Sequence, residues 1–397
     1  MPTATSTATG TATTPPTVTS TTTPTVTPTV TPTATPTQPE RFAGTVEEFY
    51  VVPDPLPPSE PGALIRLQDV SAAGGLTTLR IMYHSRDAQD RDRAVTGMLT
   101  YPDGEPPAGG WPVVSLANGT TGLASPCALS RLGRVAPTFG LAAVGVVTDY
   151  IGLGPVGEVH PYLSRPSEGH SVIDAVRAAR NLPEASAGSR WLAIGHSQGG
   201  HGALSAHELG ELYAPELELL GTVSLAPAAL FDRTYGGIDT VVARIVGVMA
   251  LYGAAAEHPE IDPDDYVGPA TAAAAAEVLG DQCLGDIIPA FLVIPAETFY
   301  VNDPILTEPA RSIALANDVG GVKVDAPLFL ISGTADERVV VQRVRDLLDK
   351  LCAAEQVTEY LELEGANHDN KYSLAAAQIS AWLADRLAGA PPVDSCQ

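Results

Sequence analysis

From about residue 41 onward, short apolar runs alternate with stretches in which apolar positions recur at helical spacing. The runs predict an opening antiparallel strand pair over residues 77–84 and 94–101. Buried strands are predicted over 111–117, 141–148, 191–194, 219–225, 327–332 and 358–363. Helical patterns fall between them. The last covers 372–387, where Ala375, Ile379, Trp382, Leu383 and Leu387 form one apolar stripe. Such alternation predicts an α/β fold, a mainly parallel sheet with helices on both faces. Residues 228–322 break the rhythm with two helical stretches, 240–252 and 269–279, and no clear strand. In the first, Val241, Val242, Ile245, Val248, Met249 and Leu251 spread over more than one face. That suits either a cap over a site or a second small helical core.

Composition divides the chain further. Residues 1–39 are nearly all Thr, Pro, Val, Ala and Ser, with Pro24, Pro28, Pro32 and Pro36 at a period of four and no charge before Glu40. Frequent proline denies helical hydrogen bonds and favours extended chain. The expectation is a disordered Thr/Pro-rich tail or linker over 1–40, either a glycosylated stalk of an exported protein or a bare tail, and one domain over 41–397 with the insertion at 228–322. Met1 opens directly on this run, without the basic and apolar regions of a signal peptide, so a targeting signal is expected to have been removed or omitted. The location expected is secreted or cell-surface.

Acidic residues outnumber basic ones by 46 to 22, a formal charge of −24, which repels phosphate backbones and argues against nucleic acid as a partner. No apolar run reaches the roughly 18 residues of a membrane helix. Four cysteines, Cys127, Cys283, Cys352 and Cys396, form no C-x-x-C and leave three pairings open. The histidines show no metal-ligand spacing, and Gly152 to Gly157 approach a nucleotide loop only weakly, so no metal and no cofactor are expected.

Chemistry concentrates at Gly195-His196-Ser197-Gln198-Gly199, a G-x-S-x-G placed between an apolar strand and a helix. A serine hydroxyl needs exposure and a base, and the sharp strand-to-helix turn supplies the exposure. Gly195 and Gly199 let backbones pass closely. An acid and a histidine should follow at the ends of later strands, and Asp336 and His368 do so in that order. His368 is the expected base and Asp336 its orienting acid, with Glu337 and Asp369 as rival acids. An oxyanion needs two backbone donors. Gln198 is the first; the second is Thr120, with Gly119 as the alternative, on the loop after residue 117. His196 and His201 are pocket-shaping or structural histidines.

Asn118-Gly119-Thr120-Thr121-Gly122, Asp149-Tyr150-Ile151-Gly152-Leu153-Gly154, Gly169-His170-Ser171 and Gly195 to His201 together resemble the secretory lipase family of α/β-hydrolases, of the yeast lipase A type. The likeness spans about residues 45–388. It implies that Ser197, Asp336 and His368 are a triad, that Gln198 and the 118–121 loop form the oxyanion hole, and that a helical cap encloses an acyl tunnel. It also implies disulfides Cys127–Cys283 and Cys352–Cys396. The expected function is a secreted serine carboxylic ester hydrolase acting on hydrophobic esters, with a lipid–water interface as its setting. A polyester or bulky synthetic-ester hydrolase, a serine peptidase of the prolyl-oligopeptidase sort, and a non-catalytic surface binding protein are the alternatives.

Overall fold

A computed structural model of the chain describes residues 1–10, 39–233 and 241–397. Two units separate, Met1–Thr37 and Gln38–Gln397. Residues 1–10 hold no helix or strand, and the remainder of the expected tail up to residue 38 lies outside the described residues. In the second unit the described strands are β1 Glu40–Arg41, β2 Leu64–Ala73, β3 Leu76–Arg86, β4 Asp92–Pro102, β5 Trp111–Ala117, β6 Val144–Thr148, β7 Ala187–His196, β8 Glu218–Leu225, β9 Leu328–Gly333 and β10 Thr358–Leu363. They form one sheet in the order β1-β2-β3-β4-β6-β5-β7-β8-β9-β10. β2 to β4 are antiparallel, β4 runs against β6, and every pairing from β6 to β10 is parallel. The expected opening pair is β3 and β4, joined on the β3 side by β2, which the apolar pattern does not reveal. In β2 that pattern is interrupted by Arg66, Gln68 and Asp69, yet Arg66 is buried and its Nη1 donates to the carbonyls of Phe49 and Val51 at 3.3 and 3.0 Å.

The α-helices are α1 Val46–Phe49, α2 Arg165–Arg180, α3 Gln198–Tyr213, α4 Val241–Ala255, α5 Pro269–Val278, α6 Leu284–Leu292, α7 Ala296–Phe299, α8 Ala310–Ala316, α9 Val341–Ala353 and α10 Lys371–Leu387. The period-two alternation of β7 sorts its side chains between two cores. Trp191 and Ala193 pack with Val172, Val176 and Ala203 of α2 and α3, whereas Leu192 and Ile194 pack with Ile379, Trp382 and Leu383 of α10. Each layer exists because one face of a helix and one face of the sheet lose water together, at roughly 25 cal/mol per Å² of apolar surface. Trp382 stacks on Phe329 at 5.6 Å and fills the space left by Gly221, where a Cβ would meet its ring at 2.5 Å.

Between β8 and β9 the described residues contain α4 to α8 and no strand. Thr240, the expected start of the first helix, lies outside them. α6 and α8 escape a periodicity reading because α6 carries Pro289 inside a short, mostly apolar run and α8 spans only 7 residues. The insertion's core, in which Val248 and Met249 of α4 meet Ile287 and Phe291 of α6, also takes in Leu123, Tyr162 and Leu163 of the body.

The cysteines pair as Cys127–Cys283 and Cys352–Cys396. The second fastens the end of α9 to the C-terminal segment across a separation of 44 residues. Cys396→Ser with Cys352→Ser is expected to lower unfolding stability by about 4 kcal/mol in the chain-entropy account, read from urea midpoints under non-reducing conditions.

Candidate active site

The parallel strands β5, β7, β9 and β10 bring their carboxyl ends to one edge, with Ala117 level with Gly195 and Gly333 level with Leu363. In sheets of this kind, ligands bind outside that edge. At the end of β7 the chain turns sharply: Ser197 adopts φ +61°, ψ −121°, and α3 begins at the next residue. A non-glycine residue there stores on the order of 1–3 kcal/mol of strain. The turn is possible only because backbones nearly touch. A Cβ on Gly195 would lie 1.9 Å from the carbonyl oxygen of Gly199, and one on Gly199 would lie 2.1 Å from that of Ala117. Ser197 N donates to Leu225 O at 2.9 Å, which leaves Gln198 as the first residue of α3, in the turn whose N–H groups lack intrahelical acceptors.

Asp336 and His368 follow β9 and β10. His368 Nδ1 donates to Asp336, 2.9 Å from Oδ2 and 3.1 Å from Oδ1, so Nε2 is free to act as an acceptor. Backbone N–H groups of Arg338 and Val339 also donate to Asp336 Oδ1, at 2.8 and 2.9 Å. Burial would raise the pKa of this carboxyl, but hydrogen bonds from His368 and Lys371 outweigh it and hold Asp336 well below the ordinary carboxylate range. Both rival acids are exposed, and Asp369 is paired instead with Arg338 at 3.0 Å.

Ser197, His368, Gly119 and Thr120 line one cavity of about 650 Å³, within the usual range for ligand sites. Most of its wall is apolar and comes from the insertion, including Phe231, Val242, Val246, Ala250 and Ile288, with Leu163 from the body. The loop after β5 is pinned at successive residues. Asn118 O accepts from Tyr150 Oη at 2.9 Å, Thr120 Oγ1 bonds Tyr162 Oη at 2.8 Å, and Thr121 O accepts from Leu284 N of α6 at 2.8 Å. The Cys127–Cys283 disulfide fastens the same corner, so the insertion and this loop are covalently joined.

Beneath the turn lies a polar network that spacing does not announce. Glu168, fully buried in the first turn of α2, accepts from Gln198 Nε2 at 2.7 Å, from His201 Nδ1 at 2.7 Å and from Leu163 N at 3.0 Å. His201 Nε2 also points at an acceptor, Asn317 O, at 2.8 Å, so both ring nitrogens donate and His201 is an imidazolium. His160 is different. Its Nδ1 donates to Ile151 O at 2.8 Å while its Nε2 accepts from Gln198 Nε2 at 2.7 Å. Burial opposes ionisation of Glu168, yet the charge on His201 and the hydrogen bonds around it bring its pKa down to about 2. The same carboxylate, against the effect of burial, raises that of His201. Of the two histidines beside Ser197, His196 lines the cavity with its ring 4.4 Å from that of His368, and His201 lies below the floor. His170 stacks on Tyr213 at 3.9 Å, far from any role at the turn.

Lys371, wholly buried beside Asp336, also escapes a motif reading. The one signal in the sequence is a lysine in the first turn of a helix, where the dipole disfavours a cation.

Known proteins share this fold. Candida antarctica lipase A superposes with a TM-score of 0.72 at 17% identity, covering 89% of each chain. The rice cell wall degrading esterase LipA from Xanthomonas oryzae gives 0.67 at 17% identity, covering 83% of this chain and 98% of that one. At such identities the likeness establishes the fold, that of the α/β-hydrolases. A Mycobacterium tuberculosis protein described as probable inactive lipase MT1628 is 26% identical over 243 residues, 57% of this chain, which spans about half (52%) of that relative's length. The model of the family described as secretory lipase matches residues 136–395. The chain therefore belongs to the secretory lipase family.

Proposed function

We propose that the chain is a secreted serine carboxylic ester hydrolase, a lipase or esterase that cleaves hydrophobic acyl esters through an acyl-enzyme on Ser197. The observation that carries this reading is the His368–Asp336 hydrogen bond opening onto the same cavity as Ser197 at its strained turn. His368 Nε2 takes the hydroxyl proton as Ser197 Oγ attacks the ester carbonyl, and Asp336 stabilises the imidazolium formed. The oxyanion is received by the N–H groups of Gln198 and Thr120, with Gly119 as the alternative. His368 then protonates the leaving alcohol, and water, activated by the same base, releases the acid.

Membership of the family and two disulfides support export to an oxidising setting. The apolar cavity wall supports an acyl chain as the bound group. Exposed Leu292, Val293, Val301 and Leu306 on the insertion support contact with a lipid–water interface. "Inactive" in the description of the mycobacterial relative favours a second reading, a binding protein without turnover, but here Ser197 and His368 line one cavity and Asp336 holds His368 from behind.

Hydrolysis of 4-nitrophenyl esters from two to eighteen carbons tests the proposal, together with fluorophosphonate labelling mapped by mass spectrometry. Labelling on Ser197 and a kcat/KM maximum at about eight carbons or longer are expected from the size of the cavity. A maximum at two to four carbons would make the protein a short-chain esterase. No labelling and no turnover would leave the binding reading standing.

A further inference from the structure

Lys371 opens α10 and is completely buried. Its ammonium is withdrawn from water and set against the positive end of a helix dipole, two unfavourable effects that need an offset. The offset is Asp336. Lys371 Nζ donates to Asp336 Oδ2, the oxygen nearer to His368 Nδ1, and to Asn367 O at 2.8 Å. Space for the lysine stem is kept by Gly333 at the end of β9, where a Cβ would come within 2.9 Å of Lys371 Cε. One carboxylate is thus shared between an imidazole and an ammonium.

We propose that Lys371 is a positioning residue of the Ser197–His368–Asp336 site, whose positive charge weakens the hold of Asp336 on the imidazolium form of His368 and so extends turnover to lower pH. The inference rests on the ester-hydrolase reading and goes beyond it. An imidazolium cannot accept the serine proton, so activity at low pH depends on how strongly the surroundings stabilise that form. Asp336 stabilises it, and a second cation on the same carboxylate offsets part of that effect.

The other groups facing His368 leave Lys371 as the buried cation at this end of the site. His196, beside it, is drawn by burial, and by the charges of His368 and Lys371, down to about 3 and is uncharged at working pH. Tyr372 is a buried phenol whose pKa burial pushes well up. Arg338 is exposed and tied to exposed Asp369, and Glu337 is exposed. Arg343 of α9 and Arg233 line the cavity, and Arg233 is paired with Asp346 at 3.1 Å.

The test is the pH dependence of kcat/KM on one 4-nitrophenyl ester for wild type, Lys371→Met, Lys371→Gln and Lys371→Arg. Met removes the charge and the donor, Gln keeps a donor without the charge, and Arg keeps the charge. Both neutral variants are expected to move the acidic limb upward by about one pH unit, with Lys371→Arg staying near wild type. Loss of plateau activity and thermal stability with an unmoved limb would reduce Lys371 to a structural residue and overturn the proposal, as would failure of both neutral variants to fold. Absence of turnover in wild type is a different failure, that of the hydrolase reading itself.

Discussion

Ser197→Ala is expected to fold normally and to lose about ten-thousandfold or more in kcat on every 4-nitrophenyl ester, with no fluorophosphonate label. Among the described residues no hydrogen bond of the Ser197 side chain holds the structure together; the backbone bonds from Ser197 N to Leu225 O and from His201 N to Ser197 O anchor the turn, and alanine keeps both. What alanine does not relieve is the backbone, since its Cβ still sits at φ +61°. Ser197→Gly removes the Cβ as well as the hydroxyl. Release of strain on the order of 1–3 kcal/mol, set against glycine's entropic cost of about 0.5–1 kcal/mol, should leave Ser197→Gly about 1 kcal/mol more stable than Ser197→Ala. Paired urea curves measure the difference. Equal midpoints would show that the turn is unstrained, and turnover surviving in either variant would remove Ser197 from the reaction.

Glu168→Gln is expected to cost about 3–5 kcal/mol of unfolding free energy, the usual consequence of removing one partner from a buried ion pair. His201 would be left cationic between Asn317 O and an amide, and Gln198, whose backbone opens α3, would lose one of the two acceptors that fix its side chain. The effect should depend on pH in a defined sense. Glu168 has a depressed folded-state pKa, so its contribution is complete above its ordinary value of 4.5 and is lost as pH falls from there toward about 2. His201 has a raised one, so its contribution is complete below 6.5 and is lost as pH climbs through the raised value. The stability gap between wild type and Glu168→Gln should therefore be widest between about pH 4.5 and 6.5 and shrink on acidification. A gap that stays constant to pH 2 would mean the buried pair is not ionised.

These two residues also mark the limit of what could be read from the chain alone. The turn at Ser197 was legible because its chemistry is local: an apolar strand, two glycines that admit close backbones and a helix follow one another within a few residues. The order of Ser197, Asp336 and His368 was legible because each follows a strand pattern, an apolar run before Ser197 and Asp336 and, before His368, the alternating residues 358–363, which form the half-buried outer strand β10 and not a buried one. Glu168 was not. An acidic residue in the first turn of α2 looks like an ordinary complement to the helix dipole, and its true partners lie 30 and 33 residues away. Gln198 and His201 were both visible beside the turn, but their pairing with Glu168 is not signalled by period or spacing, and only the packing of α2 on α3 brings them together. The neighbouring His170 belongs to a recognisable string, yet the string reports family likeness while the buried charge sits one residue before it. Likewise β2 was hidden by polar residues, tolerated next to an outer strand, β1, of only two residues.

α4 presents different residues to different neighbours. Val242, Val246 and Ala250, four residues apart, face the cavity, whereas Val248 and Met249 are buried against α6 and do not reach it. The bore of the cavity and the cohesion of the insertion therefore overlap on one helix: Val246 and Ala250 pack on the insertion's core as well as lining the cavity, Ile245 and Leu251 belong to both, and Val242 lines the cavity outside that core. Drift at Val242 can change what the cavity admits without touching that core, whereas drift at Val246 or Ala250 alters the packing that holds the helix as well, so most changes of selectivity on this helix are tied to its stability.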